Sequence, residues 1–309
     1  MPAALREHQH ELLDVAETGG IVFGTEDTGY LTMERPAYTS ADMRLGDVDR
    51  VQEDGRGFGR DNLGGKSVTF TIGVLTDKLN GLDNGDPHRA NLDASSRLEG
   101  WWRDPRWRNN PNALAVLRSC EAGQTWRAYG RPRRYEDTPG KFTVYGYTPL
   151  VCDFALVDDC YYSDAIYSVQ AGLVPPSDGG LVAPLIAPLT TIPETAGNAI
   201  ARVEGDRPTW TWVTFTGPVT NPSVVIGSLF IGVNATLLNG QSVTVDTRPW
   251  NRTVLRENGG NVAGSLNPST PPLRNCQLRP GDHDILFRGI DATATSRCIV
   301  SWRHARSHP

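Results

Sequence analysis

Three carboxylates stand close together at Asp153, Asp158 and Asp159, and paired carboxylates at a set separation are what glycoside hydrolysis requires. Residues adjacent in a strand point to opposite faces, so Asp158 and Asp159 cannot converge on one bond while the strand continues through them. His8 and His10 form an H-x-H pair, a possible start of a metal site, but they sit in a charged stretch with no downstream ligand cluster. The segment GRGFGRDNLGGKS has the glycines and the Lys66-Ser67 pair of a phosphate-cradling loop, with Gly65 intruding before Lys66. The residues after Lys66 have the pattern of a strand rather than of the helix whose N-terminus would face the phosphates. No G-x-S-x-G is present, and the five cysteines lack a CxxC pair. No catalytic residue, metal or cofactor is therefore expected, and the chain reads as a non-enzyme.

A basic-aromatic group is the remaining concentration of chemistry. It comprises Trp101, Trp102, Arg103, Arg106, Trp107, Arg108, Arg118, Trp126, Arg127, Arg131, Arg133 and Arg134. Arginine interleaved with aromatics can stack on single-stranded nucleic acid. The same residues are enriched in cores and at protein interfaces. The expectation is a subunit interface carried by Trp101, Trp102, Arg106, Trp107, Arg131, Arg133 and Arg134. Trp250, flanked by Asn251 and Arg252, is a candidate for stacking on a sugar.

The elements that must hold these residues are mostly strands. Val68, Phe70, Ile72 and Val74 alternate with polar residues and glycine, as do Val243 and Val245 with polar residues, and Cys298, Val300 and Trp302 take one face against Arg297, Ser301 and Arg303 with Ile299 on the other, the period of half-buried strands. Asn239-Gly240 predicts a tight hairpin turn, and Thr28-Gly29 a turn between strands over 20–24 and 30–33. Residues 4–15 read as a short helix or an arm. A helix over the Leu92–Trp102 region is expected, capped by Asn91 or Asp93, and a second one from Asn110 through Leu117. The strand over 149–158 ends in an acidic-aromatic corner.

Composition narrows the class. The net charge is −5, without the concentrated positive field of a nucleic-acid-binding domain. It divides unevenly, −7 up to Val174 (19 basic, 26 acidic) and +2 beyond (11 basic, 9 acidic). No apolar run approaches the ~20 residues that span a bilayer, so no membrane insertion is expected. The first residues are charged where a secretion signal would be apolar. Pro175-Pro176, in a stretch of linker composition over 172–180, predicts two domains, 1–174 and 175–309.

The order of these features resembles that of siphophage distal tail proteins, minor tail proteins at the junction of tail tube and tail tip. The resemblance rests on the N-terminal strand pair, the loop with Asp54-Gly55-Arg56, the helical segment with Trp102, the corner from Phe154 to Tyr162, the Asn239–Thr247 segment, the run from Leu278 to Phe287 and the closing Val300-Ser301-Trp302-Arg303. It departs at Cys160, where related proteins are expected to have proline. The resemblance implies a mainly β protein: an N-terminal β-barrel-like domain of the tail-tube type with a short helical segment, and a C-terminal galectin-like antiparallel β-sandwich. It implies a homo-oligomeric ring, usually a hexamer, with the tail tube protein and tail tip or hub proteins as partners and DNA passing without specific binding. The implied location is the virion, after assembly in the host bacterial cytoplasm. A carbohydrate-binding virion adhesin is the alternative.

Overall fold

The computed structural model describes residues 3–39, 42–50, 54–76, 85–173, 199–291 and 293–309. The proline-rich segment expected to divide the domains lies largely outside these residues. The chain forms two compact units, one of residues 1–164 with 307–309 and one of residues 165–306. The division therefore falls ten residues before the expected one, because Tyr167–Gly172 is a strand of the second unit's sheet.

The first unit contains β1 (His10–Asp14), β2 (Gly20–Phe23), β3 (Tyr30–Thr32), β4 (Ala37–Tyr38), β5 (Met43–Arg44), β6 (Val48–Asp49), β7 (Arg56–Gly57), β8 (Asn62–Leu63) and β9 (Ser67–Leu75). Helices α1 (Pro87–Trp102) and α2 (Pro105–Arg108) follow, then β10 (Ala115–Glu121), β11 (Gln124–Asp137), β12 (Tyr147–Leu156) and β13 (Tyr161–Ser163). The main sheet runs β2-β1-β10-β11-β12-β9-β3. Its two ends meet, since Gly24 N–H donates to the Tyr30 carbonyl (2.7 Å) and Thr32 N–H to that of Gly24 (3.0 Å). A sheet joined to itself in this way is barrel-like and hides its edges. The stretches on either side of Thr28-Gly29 thus do not form the expected hairpin; β2 pairs with β1 and β3 with β9.

Strict alternation in β9 and β12 turns Val68, Phe70, Ile72, Val74, Leu150, Cys152, Phe154 and Leu156 into one core. Helix α1 supplies Ala94, Leu98 and Trp102 to it. The helix starts earlier than expected. Asp86 caps it by accepting from the N–H groups of His88 and Arg89 (both 3.1 Å), with Pro87 in the first turn. Asn91 is instead interior, accepting from Thr148 Oγ1 at 2.6 Å and donating to the Val74 carbonyl. Two helical expectations become strands: β1 places Leu12 and Leu13 in the interior, and β10 is buried along its whole length between β1 and β11. A short apolar run such as Ala113–Leu117 has no periodicity that separates a helix from a strand buried on both faces.

Two arginines are buried across β10 and β11. Arg118 bonds to Glu11 and, through Nε and Nη2, to Asp164 (3.1 and 2.8 Å). Arg127 bonds to Glu17 (2.7 Å) and to Asp164 (3.0 and 2.5 Å). Burial alone would raise the Asp164 carboxyl, but the hydrogen bonds and charges of both guanidiniums hold it below the usual carboxylate range.

The second unit contains β14 (Tyr167–Gly172), β15 (Ala199–Val203), β16 (Thr209–Thr216), β17 (Val219–Ile226), β18 (Leu229–Gly232), β19 (Thr236–Leu237), β20 (Ser242–Asp246), β21 (Thr253–Arg256), β22 (Gln277–Leu278), β23 (Gly281–Ile290) and β24 (Arg297–Trp302). They make two antiparallel sheets, β14-β24-β16-β20-β21 and β15-β23-β17-β18, which share one core. Phe215 of the first sheet and Phe287 of the second stack at 5.9 Å between ring centroids. Such face-to-face sheets are a β-sandwich. The tight hairpin is at Gly227-Ser228, where Ile226 pairs with Leu229. Asn239-Gly240 carries the chain from β19, paired in one sheet, to β20 in the other.

Removing the shared acceptor of the two arginines tests this core. Asp164→Asn leaves two buried guanidiniums under-compensated and is expected to lower stability by about 3–5 kcal/mol, read from urea denaturation. Because the native carboxyl is held low, its contribution is complete above the unfolded value of about 4 and is lost as pH falls through the native value. The gap between the natural chain and Asp164→Asn should therefore narrow as the pH is lowered below about 4.

Candidate functional site

The expected interface residues separate into core and surface. Trp102 is 1 % exposed, its indole N–H donating to the Asp153 carbonyl (3.1 Å), and Trp107 is 3 % exposed. Both belong to the first unit's core and cannot contact another subunit, which corrects that expectation for them. The reason is their position: Trp102 ends the buried face of α1, and Trp107 lies in α2, its indole N–H turned back toward the Trp102 carbonyl. Arg118 and Arg127 leave the surface group too, being committed to the buried carboxylates.

Trp101 is half-buried and stacks on Trp107 at 6.5 Å between centroids. The Arg106 guanidinium lies over both rings, 5.3 and 5.1 Å away, and bonds to Asp14 (3.0 Å) and Asp104. Cation–π contact and two carboxylates fix it in place. Arg131 is half-buried, its Nε and Nη2 donating to the carbonyls of Ala113 (2.8 Å) and Asn110 (2.5 Å). Arg134 pairs with Glu136. Arg133 is exposed and makes no ion pair among the described residues. Of the expected interface residues, Trp101, Arg106, Arg131 and Arg134 thus reach the surface with partners of their own chain, and Arg133 stands as an uncommitted charge.

The other candidate chemistries are committed elsewhere. Strand β12 stops at Leu156, so Asp158 and Asp159 lie past its end. Asp158 accepts from the Tyr162 hydroxyl (2.5 Å), and Asp159 pairs with Lys66 (2.5 Å), which also donates to the Ser307 carbonyl. Lys66 is buried and so is not presented to a phosphate. His10 is buried between the Phe23 and Phe70 rings, with Nδ1 2.9 Å from Ser119 Oγ, and burial pushes it down to about 4. It is neutral at physiological pH. Among the described residues no group of three or more His, Cys, Asp or Glu side chains is arranged to hold a metal ion.

On the sandwich, Trp250 is half-buried in the turn after β20. Beside it Asp246, 3 % exposed, accepts from Arg248 and from Asn251 (2.8 Å). The Arg248 guanidinium covers the Trp212 ring at 4.4 Å, and that of Arg252 covers Trp210 at 5.5 Å. These two indole faces are occupied from within the unit. Nothing in the sequence flagged Asp246 as the residue that fixes this corner.

No protein-family model matches the chain, and no curated protein matches its sequence. Its fold does have solved counterparts. The Dit protein of phage SPP1, described as a paradigm of the hub adsorption apparatus in phages infecting Gram-positive bacteria, superposes with a TM-score of 0.59 at 11 % identity. The match covers 96 % of this chain and 98 % of that one. A chain of the phage P2 baseplate in its activated conformation with calcium superposes with a TM-score of 0.54 at 9 % identity, covering 95 % of this chain and 97 % of the other. The corresponding strontium structure gives 0.52 at 10 % identity. The chain has a β-rich, Dit-like fold.

Substitution separates the two classes of residue. Trp102→Ala should cost about 3–5 kcal/mol, as for any large buried aromatic. Arg133→Ala should stay within about 0.5 kcal/mol of the natural chain. Thermal unfolding followed by tryptophan fluorescence reads both, and a large loss for Arg133→Ala would remove it from the surface group.

Proposed function

We propose that this chain is a structural subunit of a long, non-contractile phage tail, forming a ring, hexameric by analogy, that joins the tail tube to the tail tip. The observation that carries the reading is the end-to-end likeness to the Dit protein, 96 % of one chain on 98 % of the other, which takes in both units and their order. The first unit is of the tail-tube type and makes the ring; the second is a galectin-like domain carried by it. The partners are further copies of the chain, the tail tube protein and tail tip or hub proteins. The ring serves as an assembly hub and a conduit through which DNA passes without specific binding. The protein is a virion component made and assembled in the host bacterial cytoplasm, with no membrane insertion; among the described residues no helix is long and apolar enough to cross a membrane. No catalytic step is assigned.

Ring closure needs a heterologous interface, in which two different patches of each subunit meet head to tail. The group with Trp101, Arg106, Arg131, Arg133 and Arg134 supports one such patch: Arg106, Arg131 and Arg134 are held by partners of their own chain, so little of their side-chain entropy is lost when a neighbour covers them, and Arg133 is left free to pair with an acidic group. The adhesin reading draws less support, because Trp250 is half-buried and the Trp210 and Trp212 faces are covered by arginines.

Electron microscopy of the purified full-length chain, with light scattering on the same sample, tests the proposal. Closed rings and a mass several times that of the 33.7 kDa chain are expected. A monomer at every concentration, combined with specific binding on a glycan array, would favour the adhesin instead.

A further inference from the structure

Residues 42–50 and 54–64 form a two-stranded ribbon, β5 pairing with β8 and β6 with β7, that contributes nothing to either core. Its strands approach so closely that a Cβ at Gly59 would lie 1.8 Å from the Gly46 carbonyl oxygen, so the backbone there requires glycine. An isolated ribbon is marginal in water, and apolar surface exposed on one marks a place that another surface covers. Here Met43, Leu45, Val48 and Leu63 are exposed, and Phe58 is 89 % exposed. Phe58 stands in Arg56-Gly57-Phe58-Gly59-Arg60. Arg56 is tied to Asp49 and Asp47, whereas Arg60 is exposed and makes no ion pair among the described residues.

The same unit carries a groove that answers this segment. It has a volume of about 660 Å³ and lies where β1, β2, β3 and β10 end. Leu31, Met33 and Pro36 give it apolar walls. Its acidic side chains are four glutamates, Glu7, Glu26, Glu34 and Glu121, against Arg35 and against His8, which lies 3.9 Å from Glu7, and its buried His10 is neutral. Glu121 is engaged by Arg35 (2.9 Å) and Tyr38, and Glu7 by the Ala122 and Gly123 N–H groups. Glu34 is exposed and makes no ion pair among the described residues.

We infer that the Arg56–Arg60 segment of one copy docks in the Leu31/Met33/Glu34 groove of a second copy, Phe58 entering between the apolar walls and Arg60 meeting Glu34. The inference rests on the ring reading and names one contact by which copies join. An apolar anchor flanked by positive charge matches an apolar groove rimmed by negative charge, the pairing that gives an interface both affinity and register. Reach permits it: Val48 pairs with Gly57 and Met43 with Leu63, so Phe58 stands six residues from the ribbon's base at Gly64, about 20 Å at about 3.3 Å per extended residue. Phe58 is not covered by the described residues of its own chain, and the groove on a second copy offers apolar walls and opposite charge to this segment.

The test uses the full-length chain. Chains bearing Phe58→Cys are mixed with chains bearing Met33→Cys and oxidised; a disulfide-linked pair that requires both is expected, with the natural chain as the control for its own five cysteines. In parallel, Arg60→Glu should weaken assembly about tenfold or more, and the double variant Arg60→Glu/Glu34→Arg should restore it. If assemblies form but no mixed pair appears and Arg60→Glu leaves the mass unchanged, the ribbon contact is wrong and the ring reading stands. A chain that stays monomeric by light scattering and gives no pair sinks both.

Discussion

Asp164 is the point on which the first unit's charge balance turns. Two guanidiniums, each at most 5 % exposed on its side chain, converge on its two oxygens while Glu11 and Glu17 hold their far sides. Ions removed from water to this degree are tolerable only when every one has its partners, because desolvation otherwise exceeds the attraction. The five side chains come from β1 and the turn after it, from β10 and β11, and from the residue that closes the unit. That completeness constrains register: a one-residue slip of β10 against β11 would send Arg118 to the opposite face and leave both carboxylate sets short. The cluster therefore helps specify the pairing of central strands whose apolar content alone would tolerate other registers.

The opposite face of the same strands is apolar and is closed by α1. Trp102 contacts Phe23 and Phe70 edge-on, at 6.0 and 6.5 Å between centroids, while its N–H finds the Asp153 carbonyl. Tyr30 and Tyr135 donate their hydroxyls to the Ala94 and Ser95 carbonyls of the helix. A helix laid on a barrel-like sheet thus has its backbone acceptors and the aromatic polar atoms satisfied together. Burial raises both phenols, Tyr30 to about 12, so they remain donors at any physiological pH.

Much of this was legible in the residues, and the failures share a cause. Alternation found β9, β20 and β24 and the inward faces of Phe70, Val243 and Trp302, because in each strand the large apolar side chains fall on one face and the other face carries polar or small residues for most of its length. It failed on β1 and β10, buried on both faces, where local pattern carries no period. Turn chemistry located chain reversals but not their partners: Asn239-Gly240 is a turn, yet which strands it joins depends on the packing of two sheets. Charge could not place the division of the chain either. Residues 165–177 carry no charged side chain, so the −7 and +2 totals are the same whether the first unit ends at Asp164 or at Val174. Tryptophan and arginine are the hardest to read, since Trp101 and Trp102 are neighbours with different fates and Arg118 and Arg133 share a composition signal but lie in opposite environments.

That sorting of arginines alters what the unit shows to its surroundings. Of the 19 basic residues up to Val174, Arg118 and Arg127 are buried in the Asp164 cluster and Lys66 is buried against Asp159. Arg103, Arg106 and Arg131 remain at the surface, but with guanidiniums held to carbonyls or carboxylates of their own chain. The acidic groups left outside these pairs include Asp42, Asp54, Asp61 and Glu34, all exposed. On the ring reading this division has a physical consequence. A passage for DNA must not hold a polyanion, and the counterion release that drives protein–DNA association needs mobile, accessible cations. On that reading the excess of seven acidic residues up to Val174 presents a field that repels phosphate, while exposed cations that make no ion pair among the described residues, Arg44, Arg60, Arg89, Arg97, Arg108 and Arg133 among them, stay available for acidic surfaces of neighbouring copies.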